Sequence, residues 1–386
     1  MREQSSSEME IPHAPRHIVI LRAGLLGDTL VAVPALWCLR QAYPDARITY
    51  VWQDSPQKGH VKAYEVLGSS GLVDTFLSYK TGRSTFSNLF SAGALLCKLQ
   101  TQTCDLAVVL EEPHWSSRKT TFAKLFGAEA VIGPRGKGKH LPRMPNGNLL
   151  KLPHIADALI EQLRPLGIPL PLPGEGRVDI GLGDRDCARV EAWLATAGAR
   201  NAPHPWIGLC PWSNMPAKRW PLERYEEVVR ALISEFNVTP FVLGGPGERD
   251  VAELLVTQWG RGYVACGELS IREGVALLSQ CALYVGNDTG VMHMAAAAGT
   301  RCVAMFSSRE APGRWEPYGK GHAVFRSKVL CEGCMLYECL DQDMRCMRLI
   351  EVDEVLHACR SVLNHEHVED SHFAIRSLRR QTKGDI

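Results

Sequence analysis

The hydrophobic positions of the chain alternate between two patterns. Short apolar runs at residues 17–23, 47–52, 73–78 and 105–110 read as buried strands. Between them, residues 27–43, 57–67, 86–99 and 116–126 carry apolar side chains at helical spacing, and 130–133 adds a short strand. Residues 134–150 are polar, basic and rich in Gly and Pro, which predicts a mobile loop. Residues 152–166 are helical again, and the Pro- and Gly-rich stretch 165–176 reads as a linker. The alternation then restarts. Residues 206–210, 239–243, 262–265, 283–285 and 302–306 read as strands. Residues 184–197, 223–236, 248–258, 271–279, 289–298 and 351–363 read as helices. Short strands alternating with helices predict βαβ units and parallel sheets, hence an α/β fold. Two such sets around a linker predict two Rossmann-like domains whose sheets face an interdomain cleft. Ligands are expected beyond the carboxyl ends of the strands. The boundaries read as a polar extension 1–16, domains at 17–170 and 171–350, and a helix with a polar tail at 351–386.

Composition narrows the class. At roughly 150 residues per domain, 386 residues suit two domains. With 45% apolar and 22% charged residues the chain is not a disordered one. No apolar run reaches the ~18–20 residues of a membrane span. The polar stretch 1–17 lacks the apolar core of a secretory signal, so the 13 cysteines read as reduced thiols of a cytoplasmic protein. A net charge of +1 excludes a globally basic nucleic-acid binder. The charge is uneven, however. Residues 58–151 hold 13 basic and 6 acidic side chains, a bias that suits either an anionic partner or membrane surface, or simply a solvated face.

Chemistry concentrates in three loops. After the first strand, Arg22-Ala-Gly-Leu-Leu-Gly-Asp places Asp28 at the opening of a helix. The glycines there, Gly24 and Gly27, form G-x-x-G and not the G-x-G-x-x-G of a dinucleotide site. An Asp in this position is either an ordinary cap or a carboxylate presented at the mouth of the sheet, and the helix start is expected to depress its pKa. After the first strand of the second set, Ser213, Asn214 and Lys218 suit a phosphate, or a plain surface loop. The third loop, Asn287-Asp-Thr-Gly-Val-Met-His, runs from a strand into a helix. Asp288, Thr289 and Gly290 stand at its N-terminus and His293 one turn in, an anion site or a capped helix with a packed His.

These stretches resemble glycosyltransferase family 9, the ADP-heptose:lipopolysaccharide heptosyltransferases. The matching segments are HIVILRAGLLGDTLVAVPALWCLRQAYPDARITYV, KRWPLERY, LGGPGERD and CGELSIREGVALLSQCALYVGNDTGVMHMAAAAGT, with the later RWEPYG, CEGC, CLDQDMRCM and IEVDEV. The resemblance spans residues 17–363 and implies the GT-B fold, with an acceptor-binding first domain and a donor-binding second domain. It implies an inverting transfer of heptose, or a related sugar, from a nucleotide-diphospho-sugar such as ADP-heptose to a hydroxyl of lipopolysaccharide core, without a catalytic metal. By the same resemblance Asp28 falls on the proposed base, and Lys218, Ser213 and Asn214 on the donor-phosphate contacts. Glu248 and Leu269 fall on the nucleoside contacts, and Asp288, Thr289, Gly290 and His293 on the motif that holds sugar and diphosphate. Arg118, Lys119, Arg135, Lys137 and Lys139 are the basic candidates for an anionic glycolipid acceptor at the inner membrane face. Two other readings stay open: a different donor or a protein or other glycan acceptor, and a non-catalytic nucleotide-sugar binder.

Four cysteines, Cys331, Cys334, Cys339 and Cys346, form C-x2-C-x4-C-x6-C. The spacing suits a structural zinc or iron. Free thiols and a disulfide are the alternatives.

Overall fold

A computed structural model describes residues 14–56, 61–82, 85–112, 118–125, 127–134 and 141–365. The chain divides into two compact units. The first comprises residues up to 140 together with 155–177, and the second comprises 141–154 together with 178 onward. The stretch 141–154 therefore groups with the second unit, and the Pro-rich stretch up to 177 with the first.

In the first unit the strands are β1 (His17–Leu21), β2 (Arg47–Asp54), β3 (Thr75–Lys80), β4 (Leu106–Val109) and β5 (Ala130–Ile132). All pair in parallel, in the order β3-β2-β1-β4-β5. The helices are α1 (Leu26–Leu30), α2 (Val33–Ala42), α3 (Ala63–Leu67), α4 (Thr85–Gln100), α5 (Arg118–Lys124) and α6 (Ile155–Glu161). Every residue of β1 and β4 is buried, which is why these strands read as unbroken apolar runs. The single helix expected over 27–43 is two. Pro34 stands in the first turn of α2, where its missing N–H and fixed φ start a new helix instead of continuing the old one. The linker stretch is anchored: the Gly174 N–H donates to Asp157 Oδ1 (3.0 Å), and the Arg177 guanidinium lies 3.5 Å from the Trp37 ring centre.

The second unit holds β6 (Trp206–Cys210), β7 (Thr239–Val242), β8 (Tyr263–Val264), β9 (Leu283–Asn287), β10 (Cys302–Phe306) and β11 (Ala323–Arg326). Its helices are α7 (Asp184–Thr196), α8 (Leu222–Phe236), α9 (Arg249–Trp259), α10 (Ile271–Leu278), α11 (Gly290–Ala297), α12 (Arg345–Arg348) and α13 (Val352–Leu363). The parallel sheet runs β11-β10-β9-β6-β7-β8. β6 starts it, β7 and β8 build to one side, and β9 to β11 build to the other. The strand order thus reverses between β6 and β9, and a ligand is expected outside the carboxyl ends of those two strands. Both β11 and α12 escape the hydrophobic pattern because each has only four residues. Trp220 and Tyr225 anchor the core under the switch point, 1% exposed each, with ring centroids 5.0 Å apart. Residues 141–150 are not a free loop over their described length. Arg143 Nη2 donates to the Glu332 carbonyl (2.8 Å), and the Leu149 N–H donates to Glu332 Oε1 (2.5 Å).

Candidate functional site

The second unit brings two of the three loops together. The chain leaves β6, turns through Pro211 to Asn214 and delivers Lys218 from a 3-10 turn over Pro216–Lys218. It leaves β9 at Asn287 and enters α11 through Asp288 and Thr289. Lys218 Nζ meets Asp288 Oδ2 at 2.6 Å, with only 12% and 11% of the two side chains exposed. Burial pulls the Lys218 ammonium down, but Asp288 and then Glu310 reverse this and hold its pKa above the ordinary value. The site therefore keeps a cation at neutral pH. Asn287 fixes the loops. It is fully buried, its Oδ1 accepts from the Trp220 N–H (3.0 Å) and the Tyr225 hydroxyl (2.9 Å), and its Nδ2 donates to the Pro211 carbonyl (2.8 Å).

Thr289 is the N-cap of α11 in extended conformation, and its side chain makes no cap hydrogen bond. The capped-helix alternative is therefore not met at the Thr289 hydroxyl. Asp288, the partner of Lys218, directly precedes this N-cap residue, so the ammonium lies near the start of α11, the positive end of the helix dipole. His293 is 6% exposed, and its pKa is pushed down to about 4 by burial, against the pull of Asp288 and with the push of His154 and Lys218. It is a neutral imidazole at neutral pH, packed edge-on to Trp315. Ser213 is buried, its Oγ accepting from the Met215 N–H (3.3 Å). Asn214 is exposed, and its carbonyl accepts from the Tyr337 hydroxyl (2.7 Å).

Glu248 and Leu269 stand on the next two loops, after β7 and β8. Gly267 (φ +72°) leaves no room for a side chain: an added Cβ would lie 2.8 Å from Pro246 Cα. These two loops are thereby pressed together, with Glu248 half-buried on one and Leu269 half-buried on the other. Arg249 ties them further by pairing with Glu268 and donating to the Cys266 carbonyl (3.1 Å). Sequence reasoning missed Arg309 and Glu310, which follow β10 and pair with each other beside this site. The adjacent Arg-Glu at a strand end was the available signal.

In the first unit Asp28 sits in the first turn of α1, not at its cap, which is Leu25. Its Oδ2 accepts from the Leu25 N–H (2.9 Å), and its Oδ1 pairs with Arg22 Nη2 (2.9 Å). Gly24 (φ +135°) makes this possible, because a Cβ there would lie 2.2 Å from Asp28 Cγ. The expected depression of the Asp28 pKa does not occur. Burial raises it above the ordinary value, against Arg22 and the Leu25 N–H, and the Glu111 and Glu112 carboxylates push the same way as burial. The acidic pair at 111–112, at the end of β4, is the part of this site that sequence reading passed over.

Of the basic candidates, Lys119 pairs with the largely buried Glu111 and so stands near Asp28. Arg118 begins α5, with its side chain outside the described set, and Arg135, Lys137 and Lys139 lie outside the described residues. The four tail cysteines are free thiols. Cys331 and Cys334 are exposed, Cys339 and Cys346 half-buried, and among the described residues no group of three or more His, Cys, Asp or Glu is placed to hold a metal ion. Among the described residues nothing supports the structural metal that the spacing suggested.

The fold and the site define a class: two parallel-sheet α/β units of the GT-B type, with a cation–carboxylate pair at the switch point of the second sheet. Comparison with known proteins gives what the chain is similar to: its residues 158–344 match glycosyltransferase family 9 (heptosyltransferase). The match includes Lys218, Asp288 and His293 and begins after Asp28. Lipopolysaccharide heptosyltransferase 2 of Escherichia coli K12 is 36% identical over 109 residues, 26% of this chain and 31% of the relative. The chain thus spans about a third of the length of the curated relatives it matches first. Lipopolysaccharide heptosyltransferase 3 of the same organism is 22% identical over 351 residues, 87% of this chain and 95% of the relative. Among solved structures, a family 9 glycosyltransferase from Veillonella parvula superposes with TM-score 0.72 at 20% identity, covering 93% of this chain and 100% of that one. The E. coli ADP-heptose heptosyltransferase II superposes with TM-score 0.66 at 19% identity, covering 90% and 99%. These superpositions carry the fold.

Proposed function

We propose that the protein is an inverting glycosyltransferase that moves heptose, or a related sugar, from a nucleotide-diphospho-sugar such as ADP-heptose to a hydroxyl of lipopolysaccharide core. The observation that carries this reading is the Lys218–Asp288 pair beside the start of α11, at the switch point of the second sheet. A permanent ammonium and a row of helix N–H groups suit a diphosphate whose charge grows as the bond to the sugar breaks. Ser213, Asn214, Thr289 and Gly290 line the same two loops. Glu248 and Leu269, on the neighbouring loops, offer a carboxylate for ribose hydroxyls and an apolar surface for the base.

Asp28 is the proposed base. It takes the proton of the acceptor hydroxyl as that oxygen forms its bond to the anomeric carbon and the diphosphate leaves from the opposite face. A carboxylate raised by burial is a stronger base than an exposed one. Residues 58–151, with their cationic excess, fit an anionic glycolipid acceptor, and with it a peripheral contact at the inner membrane face.

The test is transfer of radiolabelled sugar from ADP-heptose to purified core acceptor, with measurement of the anomeric configuration of the product. Transfer with inversion, lost in Asp28→Ala, supports the reading. Transfer to protein alone would move the acceptor assignment, and donor binding without any transfer would leave a non-catalytic binder.

A further inference from the structure

Helix α4 turns two apolar faces in opposite directions. Its inner face buries Leu95 (4% exposed) and Leu99 (0%) against the core that holds Val19, Val51 and Leu77. Its outer face carries Phe86 (84% exposed), Leu89 (73%) and Phe90 (77%), followed by the exposed Gly93, Ala94 and Cys97. The spacing i, i+3, i+4, i+7, i+8, i+11 is one continuous stripe. Single exposed apolar side chains are ordinary, but a helical stripe with two phenylalanines and a leucine almost fully open is not.

The charge carried by α4 itself has one sign. The 16 residues of α4 include no Asp or Glu, and Lys98 is exposed near its end. Exposed Lys80 is held beside the helix, its backbone N–H donating to Ser91 Oγ (2.8 Å). At the far end Gln100 Nε2 donates to the Leu125 carbonyl (3.0 Å), which brings exposed Lys124 and the 54% exposed Leu125 alongside. A second copy of this chain packed face to face would set lysines against lysines. An anionic layer with an apolar interior complements both features at once: headgroups pair with the lysines, and acyl chains take up the phenylalanines and leucines.

We propose that the outer face of α4, flanked by Lys80, Lys98 and Lys124, is a lipid-contact surface that lays this unit on an anionic phospholipid layer. It deepens the glycolipid-acceptor reading and rests on that reading for its purpose, because an acceptor anchored in a membrane is reached from the membrane surface.

The experiment is co-sedimentation of the full chain with vesicles of phosphatidylcholine, with and without phosphatidylglycerol. The wild type is expected to pellet with phosphatidylglycerol vesicles and to be released by salt. Phe86→Ser, Leu89→Ser and Phe90→Ser combined should lower the partition coefficient by about tenfold or more. Lys80→Gln with Lys124→Gln should lower it several-fold and flatten its salt dependence. An unchanged thermal shift with ADP shows that the variants are folded. The proposal is overturned if the wild type stays in the supernatant, or if the triple variant still pellets. It is also overturned if the triple variant only converts an oligomer to a monomer. Loss of vesicle binding with transfer to a detergent-dispersed acceptor intact confirms the surface independently of the chemistry. Vesicle binding without any sugar transfer keeps the surface and removes the enzymatic reading.

Discussion

Asp28 is held between opposing influences, and the balance is testable. Arg22 and the Leu25 N–H favour its charged form, while burial and the Glu111 and Glu112 carboxylates disfavour it and prevail. A base acts when ionised, so kcat/KM falls as pH drops through its pKa, and a raised pKa moves that acid limb above the ordinary carboxylate range. Glu111→Gln removes one of the repelling charges. We expect the limb to shift to lower pH in a kcat/KM profile, and an unmoved limb would show that another group controls it. His293 makes a separate prediction, on stability. Its folded pKa of about 4 lies below the ordinary 6.5, so the unfolded chain takes up a proton that the folded chain refuses. Stability is full above pH 6.5 and declines as pH falls toward 4, by on the order of 3 kcal/mol. His293→Gln should remove that part of the slope in urea unfolding series at pH 7 and pH 4.5.

Among the elements, the central strands were legible because both faces are buried and the hydrophobic run is unbroken. The switch from one helix to two falls at Pro34, and the apolar periodicity that continues through it hides the break. Helix α4 shows the opposite difficulty. So many of its positions are apolar that its periodicity does not say which face the core takes, and only the fold separates Leu95 and Leu99 from Phe86 and Phe90. The role of Asn287 was hidden for another reason. Its partners Trp220, Tyr225 and Pro211 are more than 60 residues away in sequence, and they join only where β6, α8 and β9 meet. Replacing it by Ala leaves the Trp220 N–H and the Tyr225 hydroxyl buried without an acceptor, at about 1–3 kcal/mol each. Denaturant unfolding should show Asn287→Ala as strongly destabilised and Tyr225→Phe as milder, near 1 kcal/mol. Equal small losses in both would mean that the network does not hold the loops.

For the whole molecule, the sequence carried the two-unit plan and the three loops, one in the first set of strands and two in the second. It could not show that the two loops of the second set meet through the Lys218–Asp288 pair. Lys218, Asp288, His293, Glu248 and Leu269 all stand on the second sheet, at the ends of neighbouring strands, while Asp28 stands on the first. The proposed chemistry is divided in the same way, with leaving-group stabilisation on one unit and proton removal on the other. Substitutions in separate units that share no partner should act independently. Lys218→Gln removes the ammonium and leaves Asp288 facing an incoming diphosphate. ADP affinity measured by calorimetry should then drop by about tenfold to a hundredfold, or roughly 1.4–2.7 kcal/mol. Asp28→Asn should leave ADP affinity within about twofold while transfer is lost, because its partners Arg22 and Leu25 lie in the first unit. A large loss of ADP affinity in Asp28→Asn would mean that this carboxylate organises the nucleotide site itself. The base would then have to be sought elsewhere, first at Glu111, whose carboxylate shares the mouth of the first sheet and accepts from the Ala23 N–H beside it.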